Sequence, residues 1–193
     1  TVDGGEGGTG AAPQEFSNSV GAPFMDGLAF VSNMLNGFDI HKHIKIIGSG
    51  KIFTGFHIVR ALALGADMCN SARAMMMALG CIQSLLCNTN RCPTGVTTQD
   101  PQLVAGLVVS DKKIRVANYH EETVKSFVEL LGAAGIDDHQ KLTRSHIYRR
   151  VFMNEVRTFE NIYPSLEPGC MLNGNIPEKY KDDYNKANIE SWN

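Results

Sequence analysis

Three cysteines in one short run, Cys81-x5-Cys87-x4-Cys92, are the residues here whose type and spacing most directly suggest chemistry. Thiolates this concentrated call for a disulfide, a metal, or chance. Six residues turn a side chain through roughly 600° on an α-helix, so Cys81 and Cys87 cannot share a helical face. A helix must therefore end between them, and Cys87 and Cys92 must return in a loop over its end, the way a chain wraps a compact polynuclear centre. A tetrahedral zinc asks for closely spaced cysteine pairs and a fourth ligand, and neither is evident. Pro93 directly after the last cysteine is a feature shared with ferredoxin runs. Three ligands without a near fourth suit a three-iron cluster. Buried free cysteines in an ordinary helix–loop segment remain the competing reading.

The elements that would position this loop follow an α/β rhythm. A helix is expected from Pro23, with Leu28, Val31 and Leu35 on one face and Gly37 as its stop. Ile44 to Ile47 reads as a strand ending at Gly48-Ser49-Gly50-Lys51. Thr54 can cap a helix closed by Gly65, and Ala66 to Ser71 reads as another strand. An apolar helix over Arg73 to Leu86 follows, with Met75, Met76 and Met77 packed as core. Asn118 with Glu121 suggests a capping box for a helix ending at Gly132, and Thr143 to Arg150 a short basic helix. The tail from Tyr163 to the lone Trp192 wraps or trails. Strand, glycine turn, helix, strand, helix is the order of a parallel α/β fold.

Gly48-Ser49-Gly50-Lys51 is not a Walker loop, because Lys45 and Ile52 stand where glycine and Ser or Thr are required. It is a strand tip that can face an anion, as is Asn70-Ser71-Ala72-Arg73; a plain turn is the alternative for each. Two such tips in succession match the phosphate site of a β/α barrel. The glycines of residues 1–12 serve either a flexible terminus or a backbone that must approach a ligand closely. His57 and His120 read as packing and solvated side chains, and His41 with His43 as a pair common by chance.

Bulk properties exclude several classes. With 43% hydrophobic residues the chain can bury a core, and a net charge of −2 gives no basic stripe for nucleic acid. No apolar run reaches membrane-spanning length. An odd count of five cysteines and no signal peptide argue for a reducing, cytoplasmic compartment. Opening on Thr1 inside a glycine-rich motif, the chain is expected to be a piece of a longer protein.

Asp3-Gly4-Gly5-Glu6-Gly7-Gly8-Thr9-Gly10-Ala11, Gly50-Lys51, the run Gly80-Cys81 through Cys92-Pro93-Thr94-Gly95, and Thr98-Gln99-Asp100-Pro101 together resemble the FMN-binding synthase domain of glutamate synthase and its stand-alone relatives. The resemblance covers about residues 1–135. It implies the C-terminal part of a (β/α)8 barrel (strands six to eight) including the cluster loop 80–95, with 136–193 as a helical extension and irregular tail. It implies FMN and a 3Fe-4S cluster, the latter held by Cys81, Cys87 and Cys92. Gly50, Lys51, Ala72 and Arg73 would hold the FMN phosphate. Gly4, Gly5, Gly7, Gly8 and Thr9 would line the flavin, with Glu6 as the catalytic candidate. Two positions depart from the family: Ser49-Gly50-Lys51 replaces the usual Asp-Gly-Gly, and Arg73 replaces a small residue.

The implied reaction is reductive amination of 2-oxoglutarate with ammonia, through 2-iminoglutarate, to glutamate, with ferredoxin or an NAD(P)H-linked reductase as electron donor. A related flavin oxidoreductase acting on another substrate, or a non-catalytic electron-relay or assembly module, is the alternative. Residues 1–193 alone are expected to be inactive, to bind FMN weakly, and to associate with the rest of the barrel or with a second copy.

Overall fold

The computed structural model describes residues 1–6 and 12–191. Its centre is a three-stranded parallel sheet, β1 (Val2–Asp3), β2 (Ile47–Ser49) and β3 (Met68–Asn70), in that spatial order. Asp3 lies opposite Ser49, and Ser49 opposite Asn70, so all three strands end level at one edge. Helices α1 (Gln14–Ser19) and α2 (Phe24–Gly37) connect β1 to β2, α3 (Gly55–Ala63) connects β2 to β3, and α4 (Arg73–Leu79) follows β3. This is a mixed α/β fold with parallel strands joined through helices.

Local chemistry explains these bounds. Thr54 accepts the His57 N–H at 3.3 Å and starts α3. Gly65 closes it at φ +109°, a conformation that side-chain-bearing residues avoid. The core sits between the sheet and α2–α3, with Leu28 and Leu64 fully buried beside Phe24, Ile46, Val59 and Ala66.

Three expected helices differ from the structure, the first two following β3. The run from Arg73 stops at Gly80, not Leu86, because Gly80 at φ +106° takes the left-handed cap. Ile82, Leu85 and Leu86, which prolonged the apolar periodicity, are exposed. The Asn118–Glu121 box is not a helix start: α6 (Val109–Ala133) runs continuously through it, after the short α5 (Pro101–Val104). Met75, Met76 and Met77 are half-buried, with only Ala74 of α4 fully enclosed.

Beyond Gly135 the chain returns to the same core through Ile136, Leu142, Ile147 and Phe159. The expected basic helix over 143–150 is replaced by a single 3-10 turn, Arg144–His146, and then strand β4 (Tyr148–Phe152). Strand β4 pairs antiparallel with β5 (Glu155–Thr158), followed by α7 (Phe159–Ile162). The tail wraps: Gly169 and Met171 donate N–H bonds to Asn36 and Gly37 at 3.0 and 2.9 Å. Cys170, Met171 and Tyr180 of α8 (Glu178–Lys186) form a second small core there. Trp192 lies outside the described residues. Among those described, no helix is long and apolar enough to cross a membrane.

Candidate functional site

The level edge of the sheet brings three of the sequence-predicted segments side by side. Gly4 follows β1 and donates its N–H to the Ser49 carbonyl at 3.0 Å, so the glycine loop continues the sheet by one bond. Gly50-Lys51 follows β2, and Ser71-Ala72-Arg73 follows β3. Ser71, which the sequence reading treated only as a small tip residue, clamps the last two loops together: its hydroxyl donates to the Ile52 carbonyl at 2.7 Å.

The tips carry two cations. Lys51 is exposed and in the left-handed region at φ +50°, and Arg73 is half-buried. No carboxylate among the described residues lies within ion-pairing distance of either. Ala72 is exposed beside Arg73. Adjacent, pinned strand tips with two uncompensated positive charges have the donor chemistry that a phosphate monoester requires.

Gly4 and Gly5 have a local packing task. A Cβ on Gly4 would collide with Phe24 and the Glu6 carboxylate, and one on Gly5 would come 2.5 Å from the Gly21 carbonyl oxygen. Their close approach is to this chain's own backbone and to Phe24, the residue that also fills the space over Gly50. Glu6 is likewise engaged: both carboxylate oxygens accept the Phe24 N–H, at 2.9 and 3.0 Å, satisfying the N-terminus of α2. Gly7, Gly8 and Thr9 lie outside the described residues.

The cysteine loop hangs from the Gly80 stop. Cys81, Cys87 and Cys92 are all free thiols, as are Cys69 and Cys170, so no disulfide accounts for the run. The loop passes through left-handed backbone at Gln83, Leu85 and Asn90, with φ of +55°, +58° and +62°. Asn90 anchors it, accepting the Thr98 hydroxyl and the Gln99 N–H, both at 2.7 Å. Asp100 then caps α5 through the Gln102 N–H at 2.9 Å. The Thr98-Gln99-Asp100-Pro101 segment is therefore the strap that closes the loop.

The thiols differ in environment. Cys81 accepts the Gln83 N–H at 3.4 Å, and Cys92 lies 3.4 Å from the Thr94 hydroxyl. Burial pushes the Cys92 thiol up, but hydrogen bonding from the Thr94 hydroxyl, from the Thr97 and Thr94 backbone and from the Thr97 side chain outweighs it and brings it down to about 6. A thiol so placed is readily ionised, the form that ligates metals. Among the described residues, no three Cys, His, Asp or Glu side chains converge to hold a metal ion. The loop as folded thus presents three reduced thiols of ligand chemistry without gathering them on a point.

The family model described as the conserved region in glutamate synthase matches residues 1–137. The glutamate synthase large subunit-like protein YerD of Bacillus subtilis (strain 168) is 41% identical over 162 residues, 84% of this chain and 31% of that protein. The archaeal glutamate synthase (NADPH) of Methanocaldococcus jannaschii is 40% identical over 141 residues, 73% of this chain and 28% of that protein. The ferredoxin-dependent glutamate synthase of Pyropia yezoensis is 31% identical over 138 residues, 71% of this chain and 9% of that protein. The chain therefore spans less than a third of the length of each of these relatives. On the extent of the family match and these identities, the chain belongs to the glutamate synthase family through its conserved region.

Proposed function

We propose that these residues form the C-terminal part of the (β/α)8 barrel of a glutamate synthase-like oxidoreductase that uses FMN and a 3Fe-4S cluster. The observation that carries this reading is the pair of parallel strand tips, clamped by Ser71, that present Lys51 and Arg73 without counter-charges. Among the described residues, strands β1 and β3 each pair on one side only, which leaves edges for the strands that a closed barrel needs.

In this reading Lys51 and Arg73 bind the FMN phosphate, and Gly50 and Ala72 let the flavin's tail approach the tips. Phe24, packed under Gly4 and Gly50, fixes the spacing of the first two loops. Glu6 braces the glycine loop against α2 through the Phe24 N–H, a positioning task. Cys81, Cys87 and Cys92 would hold the cluster, with the Asn90–Thr98 strap keeping the loop closed and the threonines beside Cys92 favouring its thiolate. When bound, FMN supplies hydride transfer and the cluster supplies single-electron relay, while the chain supplies placement and electrostatics.

The proposed reaction is formation of glutamate from 2-oxoglutarate and ammonia, with ferredoxin or an NAD(P)H-linked reductase as donor. Anaerobic full-length protein supplied with 2-oxoglutarate, ammonium and reduced ferredoxin or NADPH is expected to form glutamate. A protein that carries flavin and iron yet forms no glutamate with either donor would refute the substrate assignment. It would favour a flavin oxidoreductase on another substrate.

A further inference from the structure

A cavity of about 620 Å³ lies between the N-terminal ends of α2 and α3 and strand β4, reaching Glu6 in the loop after β1. Neither Lys51 nor Arg73 lines it, but three arginines do: Arg60 on α3, and Arg149 and Arg150 on β4. Its volume falls within the range of small-molecule sites. Ile147 and Phe159, both buried, also line it, and Phe56 lies beneath the Arg60 guanidinium, 5.6 Å from Cζ to ring centroid.

The arginines are not matched by acids in the way a structural ion-pair network would be. Among the described residues, none of the three lies within 4.0 Å of a carboxylate oxygen. Arg60 Nε is buried and has no hydrogen-bond partner. Arg150 is committed to its own hairpin, donating to the Met153 carbonyl at 3.3 Å. Two carboxylates border the cavity, Glu6 from the loop after β1 and Asp26 from α2, and each is engaged at the start of α2. Glu6 accepts the Phe24 N–H, and Asp26 sits in the first turn, where the helix's partial positive charge favours an acid.

Burial, and then the charge of Arg149, hold the Arg60 guanidinium below its ordinary range. Burial and Asp26 raise the Tyr163 phenol while the charge and hydrogen bond of Arg149 oppose them, so that hydroxyl sits between Asp26 and Arg149 and engages part of the Arg149 fork. Guanidinium groups brought together around a partly apolar cavity, with a buried unpaired N–H, have the donor set of an oxyanion site before its ligand arrives.

We propose that Arg60 and Arg149 bind a compact organic oxyanion, a phosphate ester or a carboxylate, seated between α2, α3 and β4. The guanidinium forks take the anionic head, and Phe56, Ile147 and Phe159 take an apolar or ring-shaped body. Because β4 follows the helices in sequence and closes the cavity from outside, ligand binding ties the hairpin to α2 and α3 and stabilises that junction. The site involves neither Lys51 nor Arg73 and shares only Glu6 with the loop after β1.

The test is calorimetric titration and thermal unfolding of full-length protein with inorganic phosphate, phenyl phosphate and benzoate as probes. At least one probe is expected to saturate and to raise the unfolding temperature. Preference for phenyl phosphate marks a phosphate ester, and preference for benzoate marks a carboxylate. Arg60→Met and Arg149→Met should each weaken the bound probe by at least about tenfold, and added salt should weaken it further. Arg150→Met and Lys51→Ala should leave it within about threefold, which separates this cavity from the strand tips. Arg149 lies on an exposed hairpin, so its substitution preserves the fold, as circular dichroism would verify. No binding of any probe below roughly 10 mM, equal binding by the Arg60 and Arg149 variants, or loss in Lys51→Ala would each overturn the proposal.

Discussion

Replacing Arg144 with methionine tests the junction that ties the C-terminal third of the chain to the α/β core. Arg144 is 5% exposed. Its guanidinium donates to the Tyr163 carbonyl at 2.7 Å, the Leu64 carbonyl at 3.3 Å and the Ser32 hydroxyl at 3.4 Å. No carboxylate among the described residues pairs with it, and burial holds it below the ordinary arginine range despite the opposing charges of Glu160 and Tyr180. Two effects compete when the side chain is replaced. Methionine strands the Tyr163 and Leu64 carbonyls in a dry interior at ~1–3 kcal/mol each, a loss of about 2–6 kcal/mol. It also relieves part of the cost of burying an unpaired cation. The bonds to Leu64 and Ser32 are long, so the lower half of the range governs. The net expectation is a loss of about 2–4 kcal/mol from a typical domain stability of ~5–15 kcal/mol.

Equilibrium urea unfolding of full-length Arg144→Met beside the parent protein reads this difference as a shift in midpoint at unchanged slope. Arg144→Lys keeps the charge but cannot span three acceptors, and should lose roughly half as much. A methionine variant within about 0.5 kcal/mol of the parent would show that the carbonyls find other donors and that Arg144 does not hold the junction.

Four other outcomes follow from the geometry. Under the proposed assignment, Lys51→Ala and Arg73→Ala should each weaken FMN by about tenfold or more while leaving riboflavin nearly unchanged, because each would remove a charge-assisted phosphate contact; flavin fluorescence titration reads both. Gly55→Ala should destabilise the protein by ~1–3 kcal/mol in thermal unfolding, since the new Cβ would lie 2.5 Å from the Phe127 backbone nitrogen where α3 abuts α6. At Asp67, burial favours the neutral acid, but Lys45, the Ile46 N–H and His41 outweigh it and hold the carboxyl below its usual range. Its stabilisation is therefore complete above the unfolded value of about 3.9 and fades as pH falls through the lower folded value, so the gap between parent and Asp67→Asn in acid titrations should close below pH ~4. Cys87→Ser should yield protein without bound cluster iron, as read by iron and sulfide analysis, because an alcohol is a poor replacement for a thiolate ligand.

Features encoded within a few residues were legible in the sequence. Thr54 capping α3, Gly65 closing it and the strand at Met68–Asn70 follow from residue chemistry that acts locally, whereas the strand expected over Ile44 to Ile47 forms instead at Ile47–Ser49. The helix after Arg73 was read too long because Ile82, Leu85 and Leu86 continue its apolar pattern, although Gly80 had already turned the backbone. The start of α6 was hidden by the polar stretch from Ser110 to Lys113, where periodicity gives no signal. Hairpin β4–β5 was misread because Arg149 and Arg150 suggested a basic helix, whereas the strand places them at the edge of a cavity.

Long-range relations were not legible. Arg144 meets Ser32 and Leu64 across 112 and 80 residues, and nothing near Arg144 announces those partners. Glu6 stands in a glycine loop as a catalytic candidate, and nothing near it announces its hydrogen-bond partner, the Phe24 N–H 18 residues away. The cysteine run was legible as a set of ligand types. The strap that closes its loop, from Asn90 to Thr98 and Gln99, becomes intelligible only from the folded geometry.

The central claim is that Cys81, Cys87 and Cys92 ligate an iron–sulfur cluster beside a flavin. Iron, acid-labile sulfide and zinc should be quantified in anaerobically purified full-length protein, with electron paramagnetic resonance of the oxidised sample. The account predicts about three irons per chain with matching sulfide and a paramagnetic oxidised state, lost in Cys87→Ser. A single bound zinc, or iron that persists unchanged in Cys87→Ser, would contradict it.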